Sequence, residues 1–381
     1  MAKLERSARA PLRAGDSSIW IMAGVLVLLW TILAVLPQTR GVFLTQGNLA
    51  TLLVQSSVLL VISVGMTMVI LIRGIDLSVG AGVALTGTVA AMIQLKCHGS
   101  APLAIVAALA VGATLGAWHG WWAARGIPAF VVTLAGFKAY RGAALVLSGA
   151  KGLSPMGDDF SLLARTVPLA PTIAIIALAL AAGIALTLRD ARGRRRFQLE
   201  PLTSRQVGLR IAAQVVLAGA VLWVFAERGM PVQVLIAGTV SLWGIFVTKR
   251  TRFGRHLYAI GGNPEAARLS GVDVKRATIG AYVIVGILTA IAGVMLAARV
   301  NGVTPGSQGN LLELDSVTAV VIGGTALAGG RGSVVGTVLG TLVFATLANG
   351  MNHLGIDSNL QLIFTGLVLL AAVQISRGKR S

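Results

Sequence analysis

The chain has 381 residues, of which 55% are hydrophobic and 12% are charged, and its mean hydropathy is +0.83. Soluble domains carry about a quarter of their residues as charged side chains, so this composition excludes an ordinary soluble globular protein. Lys and Arg number 32 against 13 Asp and Glu, and the net charge of +19 would favour nucleic-acid binding only if the cations lay on a soluble surface.

Cysteine and histidine exclude several kinds of chemical site. A single cysteine, Cys97, cannot form an intramolecular disulfide, a CxxC redox pair or a cysteine-rich zinc site. The four histidines are scattered along the chain, and no HExxH motif is present. We therefore expect this chain to have no catalytic residue, to hold no metal and to bind no cofactor.

Long apolar runs fill the chain from residue 19 to residue 376. A bilayer core of about 30 Å requires about 20 apolar residues per helix. The sequence therefore predicts an all-α polytopic membrane protein, with a single transmembrane domain over 19–376 containing about 10–12 helices, some short or broken. The candidate spans are 19–36, 49–72, 77–95, 101–124, 128–149, 171–188, 211–226, 230–248, 277–298, 315–330, 333–349 and 359–376.

The cations are concentrated between these runs. The start of the chain resembles a secretory signal, but its long apolar stretch favours a retained first helix. Counting twelve spans from a cytoplasmic amino terminus places 21 of the 32 cations in four cytoplasmic stretches, namely 1–18, 189–210, 249–276 and 377–380 within the tail 377–381. We expect the arginines of 189–210, interpreted as a polar loop, to contact the lipid bilayer rather than nucleic acid.

Two cations interrupt the fifth predicted span. Lys138 and Arg141 are three residues apart and would lie on one face of a helix. The sequence leaves two interpretations, a partly hydrated helix or a break near Gly136.

The polar interval 249–276 contains the signals of a short helix. Asn263, Pro264 and Glu265 stand in the order of an N-cap, a proline at the first helical position and an acid in the first turn. Gly271 is placed to end the helix in a left-handed conformation. The pattern predicts a short capped helix over 265–269 that a second protein could grip.

Asp76 lies between two apolar segments, after Gly74 and before Ser78. A carboxylate inside the hydrocarbon is usually functional, whereas one near the interface can cap the helix that starts at Leu77 or pair with Arg73. The topology places Asp76 near the cytoplasmic end, which favours a structural role over contact with a substrate.

Four motifs follow one another along the chain. They are 73–80 (RGIDLSVG), 126–134 (GIPAFVVTL) with 140–142 (YRG) beyond it, Glu265-Ala266-Ala267 followed by Gly271, and 314–333. Together they resemble the permease subunits of ABC importers, in the form found in ribose, xylose and related monosaccharide permeases. The long interval 189–248 is most similar to the xylose-type members.

The resemblance implies an alternating-access importer of the bacterial inner membrane that moves a monosaccharide, with a pentose such as xylose as the leading substrate. It implies a second permease copy as a homodimer partner, a cytoplasmic ABC ATPase and an extracytoplasmic sugar-binding protein. The residues implied to form the ATPase-contacting coupling helix are Asn263, Pro264, Glu265, Ala266, Ala267 and Gly271.

ATP hydrolysis is expected to come from a partner. Residues 324–331 have the glycine spacing of a phosphate-binding loop but lack its lysine. ATP with Mg²⁺ would therefore be used by the partner ATPase.

Residues of the sugar pathway are implied less directly. Asp315 opens an element from the outer side and could line the mouth of the pathway. Gly323 and Gly324 could unwind a helix and expose carbonyls, or only permit close helix packing. Phe130 and Thr133 could face the sugar, or pack as ordinary membrane residues.

Other transporter classes remain as alternatives. A branched-chain amino acid ABC permease would share the mechanism. An ion-coupled secondary transporter would need acids at the bilayer midplane, for which Asp76 and Asp315 are the candidates. An integral-membrane enzyme would need a nucleophile, a metal cluster or a carboxylate pair, and none is evident in the sequence.

Overall fold

The computed structural model of the protein describes residues 13–196 and 202–378. Most of this part of the chain is helical, which confirms the predicted all-α fold, and the two strands that it contains, β1 (Thr166–Val167) and β2 (Met230–Pro231), form a short antiparallel ladder. The predicted basic stretches extend beyond it at 1–12, 197–201 and 379–381, which lie outside the described residues. The helices are α1 (Arg13–Val35), α2 (Gln46–Leu71), α3 (Val79–Leu95), α4 (Ala101–Ala123), α5 (Ala129–Ser148), α6 (Asp158–Ser161), α7 (Leu169–Arg196), α8 (Ser204–Val224), α9 (Val232–Arg250), α10 (Arg252–Gly262), α11 (Pro264–Leu269), α12 (Val274–Arg299), α13 (Leu312–Ile322), α14 (Val334–His353) and α15 (Ser358–Gly378).

Eight helices of the described part are long and apolar enough to cross a membrane, and α1, α3 and α15 contain shorter apolar stretches. The eight are α2, α4, α5, α7, α8, α9, α12 and α14. This number agrees with the predicted polytopic architecture.

The predicted span 315–330 is wrong in its extent. Helix α13 begins at Leu312 and ends at Ile322, after which the chain turns. Gly324 explains the stop, because it follows the C-cap Gly323 with a φ of +86°, and the N–H groups of Gly324 and Thr325 donate to the Val321 (2.9 Å) and Val320 (3.2 Å) carbonyls in a Schellman motif. Gly323 itself packs against α14, since a methyl group there would overlap the carbonyl oxygen of Gly336. The element is therefore a half-length helix followed by irregular backbone.

Two predicted loops are largely helical. In 189–210, α7 continues to Arg196 and α8 starts at Ser204. In 249–276, α10 precedes the predicted short helix. Phe253, Leu257 and Ile260 recur at helical spacing on α10 and turn toward the apolar core, so its polar residues form the outer face of an amphipathic helix.

The predicted alternative of a break near Gly136 is also wrong. Helix α5 is continuous from Ala129 to Ser148. Lys138 is exposed, and Arg141 is half-buried with three hydrogen-bonded partners, described below.

The connections between helices gather at two ends of the bundle. The lower end holds 72–78, 124–128, 251–273 and 323–333, and the Gly330 N–H there donates to the Leu71 carbonyl (2.9 Å). The upper end holds 149–168, 227–231 and 300–303, where Leu153 and Val303 form an antiparallel bridge. Residues 304–311 then run back along α3, because a methyl group at Gly80, at the start of α3, would overlap the Gly309 carbonyl oxygen.

Burial divides the helices into core and periphery. Helix α2 is buried on most sides and contacts α9, α12, α13 and α14. Helix α8 has no buried residue, and α7 is nearly as exposed. These two helices pair with each other through the Gln214 side chain, which donates to the Thr187 hydroxyl (2.9 Å), and otherwise present apolar faces suited to lipid.

Helices α4 and α12 approach closely through glycine. Gly112, Gly116 and Gly120 recur every four residues and therefore share one face of α4. A methyl group at Gly116 would overlap the Tyr282 carbonyl oxygen on α12, and one at Gly120 would lie 2.7 Å from the Ile279 Cα. Small residues in this pattern let membrane helices pack with their backbones in contact.

We predict that Gly116→Ala destabilises the protein by about 1–3 kcal/mol, because the added methyl forces α4 and α12 apart. Gly219→Ala is the matched control, since Gly219 lies within α8 and a methyl there meets nothing within 4 Å. Thermal unfolding in detergent would measure both variants. Equal unfolding temperatures for the two would contradict the packing argument.

Candidate functional site

The short helix α11 begins with the predicted cap. Asn263 has an extended backbone, and its Oδ1 accepts hydrogen bonds from the N–H groups of Glu265 (3.0 Å) and Ala266 (3.1 Å). Pro264 occupies the first helical position, where no partner for an N–H is needed. Asn263 also ends α10, so the two helices are joined at this one residue.

The helix ends as predicted at a glycine. The Val272 N–H donates to the Ala267 carbonyl and the Gly271 N–H donates to the Arg268 carbonyl, both at 3.0 Å, which is a Schellman motif. Gly271 has a φ of +83°, and the space around it is open. The backbone conformation, and not a lack of room, therefore requires glycine here.

Helix α11 has one buried and one exposed face. Ala267 is buried against Ile260 of α10 and Ala277 of α12, which fixes the helix to the bundle. Leu269 is 77% exposed and lies beside the exposed charged residues Glu265 and Arg268. An apolar side chain bordered by charged groups is the composition expected of a protein docking surface.

Glu265 and Arg268 form a two-point ion pair on this surface. Arg268 Nη2 lies 2.6 Å from Glu265 Oε1, and Arg268 Nε lies 3.2 Å from Glu265 Oε2. The hydrogen bonds and the charge of Arg268 hold the pKa of Glu265 below its usual range. The surface therefore presents an ionised, paired carboxylate near neutral pH.

Asp76 closes the turn that precedes α3. Its Oδ1 accepts hydrogen bonds from the backbone N–H (2.9 Å) and the hydroxyl (2.6 Å) of Ser78. The predicted alternative of a pair with Arg73 is wrong, because the Arg73 guanidinium donates instead to the carbonyls of Gly261 and Gly262. The local geometry agrees with the structural interpretation of Asp76 and Ser78, while a role in the pathway stays a prediction.

A buried histidine that sequence reasoning treated as isolated lies beside this turn. His119 Nδ1 is 3.6 Å from Asp76 Oδ2, and His119 Nε2 is 2.8 Å from the Tyr140 hydroxyl. Gly74 leaves room for Tyr282, whose ring stands edge-on to His119, since a methyl there would lie 2.6 Å from the Tyr282 hydroxyl oxygen. The available signal was a histidine inside an apolar span, where a polar group needs partners.

The predicted pathway residues do not form one site. Phe130 is 55% exposed at the lower end of α5, whereas Thr133 is buried and its hydroxyl donates to the Ala129 carbonyl (3.0 Å) and the Ile75 carbonyl (3.3 Å). Asp315 is half-buried in the first turn of α13, where the nearby Glu313 carboxylate approaches Gly80 at the start of α3. Their roles toward a substrate stay predictions.

The glycines after α13 mark an interruption. Gly323 is buried against α14, and Gly324 is exposed with a φ of +86°. The chain is therefore unwound at this point, as one of the two predicted interpretations requires. Whether its carbonyls line a cavity stays a prediction.

Arg141 fastens the middle of α5 to the segment before α13. Its guanidinium donates to the carbonyls of Pro305 (2.8 Å) and Gln308 (2.7 Å) and to Asn310 Oδ1 (2.8 Å). Three acceptors explain why a cation is tolerated within an apolar span.

The described residues also bear on metal binding. Among residues 13–196 and 202–378, no group of three or more His, Cys, Asp or Glu side chains could hold a metal ion. The predicted absence of a metal and of a cofactor stays a prediction for the whole chain.

We predict that Asn263→Ala weakens the first turn of α11 by about 1 kcal/mol, because two N–H groups lose their acceptor. Hydrogen exchange of the Glu265 and Ala266 amides should become about fivefold faster. Asn263→Asp is the control, because a carboxylate is an equally good cap and should preserve slow exchange. Unchanged exchange in the alanine variant would contradict the cap assignment.

Comparison with known proteins identifies related sequences. The family model described as "Branched-chain amino acid transport system / permease component" matches residues 48–373. The xylose transport system permease protein XylH of Escherichia coli K12 is 39% identical over 356 residues, covering 93% of this chain and 88% of that protein. The Haemophilus influenzae XylH is 36% identical (97% and 98% covered), and the ribose import permease protein RbsC of E. coli K12 is 36% identical (95% of each). No solved structure matches the chain.

Proposed function

This chain belongs to that family of transport-system permease components, and we propose that it is the membrane subunit of an ATP-driven importer that carries a pentose across the bacterial inner membrane. The observation that carries the proposal is the similarity to pentose permeases along nearly the whole chain. The apolar helices place the chain in the membrane as a multi-pass protein.

Xylose is the leading substrate within this class. The E. coli relative named for xylose is 39% identical to this chain, whereas the H. influenzae relative named for xylose and the relative named for ribose are both 36% identical. The branched-chain amino acid alternative is supported by the family description alone, while the individual relatives favour a sugar. An ion-coupled mechanism is not favoured by these relatives.

Helix α11 supports the proposed contact with a partner ATPase. It is short, capped at both ends and fixed by one buried residue, and it exposes Leu269 beside the Glu265–Arg268 pair. A rigid helix of this kind can be held by a partner without reorganising, which lowers the entropic cost of binding. Movement of the ATPase would then reorient the permease helices between outward-open and inward-open states.

The charge distribution supports a cytoplasmic lower end. Many described cations lie near that end, in agreement with the positive-inside rule. Those on α7, α8, α9, α10 and α12 are Arg189, Arg192, Arg194, Arg205, Arg210, Lys249, Arg250, Arg252, Arg255, Lys275 and Arg276. The upper end would then receive sugar from an extracytoplasmic binding protein. A second permease copy would complete the pathway as a homodimer.

We predict that deleting the gene from its host abolishes high-affinity uptake of labelled xylose and that restoring the gene recovers it. The measurement is a panel of labelled xylose, ribose and leucine, with an empty vector as the control. Loss of ribose uptake alone would change the assigned substrate from xylose to ribose and would keep the pentose assignment. Loss of leucine uptake instead would contradict a sugar importer and favour the amino acid alternative.

We predict that Gly271→Ala reduces the sugar moved per ATP hydrolysed by several-fold, because alanine in the left-handed conformation is strained by about 1 kcal/mol or more and distorts the end of α11. Gly355→Ala is the matched control. Gly355 has a φ of +69° and open surroundings, but it lies after α14, far from α11. Measurements of uptake and ATP hydrolysis in proteoliposomes would test both variants. Equal effects of the two substitutions would refute the coupling role of α11.

A further inference from the structure

Three segments meet below α2 at the lower end. The Gly330 N–H donates to the Leu71 carbonyl (2.9 Å), and a methyl group at Gly261 would overlap both of these groups. The Tyr258 hydroxyl on α10 donates to the Gly332 carbonyl (2.9 Å). The end of α2, the end of α10 and the segment 323–333 therefore share one backbone junction.

Arg73, within this junction, has a backbone conformation that usually selects glycine. Helix α2 ends in a Schellman motif, in which the Gly74 N–H donates to the Val69 carbonyl and the Arg73 N–H donates to the Ile70 carbonyl, both at 2.9 Å. Arg73 is the residue after the C-cap, with a φ of +66°. Gly271 holds the equivalent position after α11. Arginine is strained here relative to glycine, and the contacts of its side chain offset that strain.

The guanidinium makes these contacts with α10. Arg73 Nε donates to the Gly261 carbonyl (2.8 Å), and Arg73 Nη2 donates to the Gly262 carbonyl (2.6 Å). These are the last two carbonyls of α10, directly before the Asn263 cap of α11. A cation is favourable at the C-terminal end of a helix, and two bonds from one planar group fix orientation as well as distance.

The α2–α3 connection that follows is bonded to α5 at two levels. The Thr133 hydroxyl donates to the Ile75 carbonyl (3.3 Å). One to two turns further along α5, the Tyr140 hydroxyl contacts His119, which lies beside Asp76. A displacement of the connection is therefore transmitted to both positions on α5.

We propose that Arg73 is the positioning residue through which movement of α11 reaches α5 during transport. This inference rests on the proposed function, which assigns α11 to a partner ATPase. When α11 shifts, the carbonyls of Gly261 and Gly262 shift with it, and the guanidinium moves the α2–α3 connection. The neighbouring Ile72 packs against the apolar cluster that holds Ala267, which adds a second contact along the same route.

The test uses Arg73→Gly in the complete importer, purified through a tag on this chain and reconstituted in liposomes. Glycine retains the Schellman motif, relieves the left-handed strain and removes both guanidinium bonds. We expect an unfolding temperature at or above that of the wild type, ATP hydrolysis within about twofold, and about tenfold less xylose moved per ATP. Arg73→Lys, which can keep one of the two bonds, should lie between these values.

Ala150→Gly is the matched control. Ala150 lies at the upper end and has a φ of +56°. Its glycine variant relieves the same kind of backbone strain without removing a side-chain hydrogen bond. This variant should move as much xylose per ATP as the wild type. Wild-type coupling in Arg73→Gly would overturn the proposal. A fall in its unfolding temperature together with loss of ATP hydrolysis would also overturn it, because that result indicates a purely structural residue. A wild-type importer that moves no pentose would instead refute the proposed function.

Discussion

The close approach of α4 and α12 is the constraint on which the rest of the structure depends. The hydrophobic effect does not drive helices together within a bilayer, so their association relies on the backbone contacts that small residues permit. Gly116 sets this spacing against the Tyr282 carbonyl. The same spacing places His119 of α4 within 6.4 Å of the Tyr282 ring, measured between ring centroids. The buried polar cluster around Asp76 is therefore assembled by glycine packing.

Helix α5 is bonded near its lower end and again near its middle, and this connects the α2–α3 connection to the segment before α13. Near the lower end the Thr133 hydroxyl donates to the Ile75 carbonyl of the α2–α3 connection. Near the middle the Tyr140 hydroxyl contacts His119, which lies beside Asp76, and the next residue, Arg141, donates to the carbonyls of Pro305 and Gln308. Because buried polar bonds are costly to break in an apolar medium, α5 is expected to move as one body with these partners. A shift of α11 that moves the α2–α3 connection would then also reach the segment before α13.

The parts predictable from the sequence are those whose chemistry is local. Asn263 and Gly271 predict the two ends of α11 correctly, because capping involves only residues within one helical turn. Helix α10 was not predicted, although the spacing of its apolar residues is helical. The cations between those residues made the segment resemble a polar loop. The partners of His119 were not predictable, because they come from other helices. The predicted ion pair between Arg73 and Asp76 does not form for a related reason. The left-handed backbone at Arg73 directs its guanidinium toward α10, which is a different helix.

The α7–α8 hairpin stands apart from this connected core. It is anchored by the β1–β2 ladder at its base and held together by the contact between Gln214 and Thr187, and α8 buries none of its residues. A substitution there meets fluid acyl chains, which adjust to its shape, and not a fixed neighbour. The hairpin should consequently be the region of greatest mutational tolerance, free to drift in length and sequence over evolutionary time while selection preserves the glycine-packed helices α4 and α12.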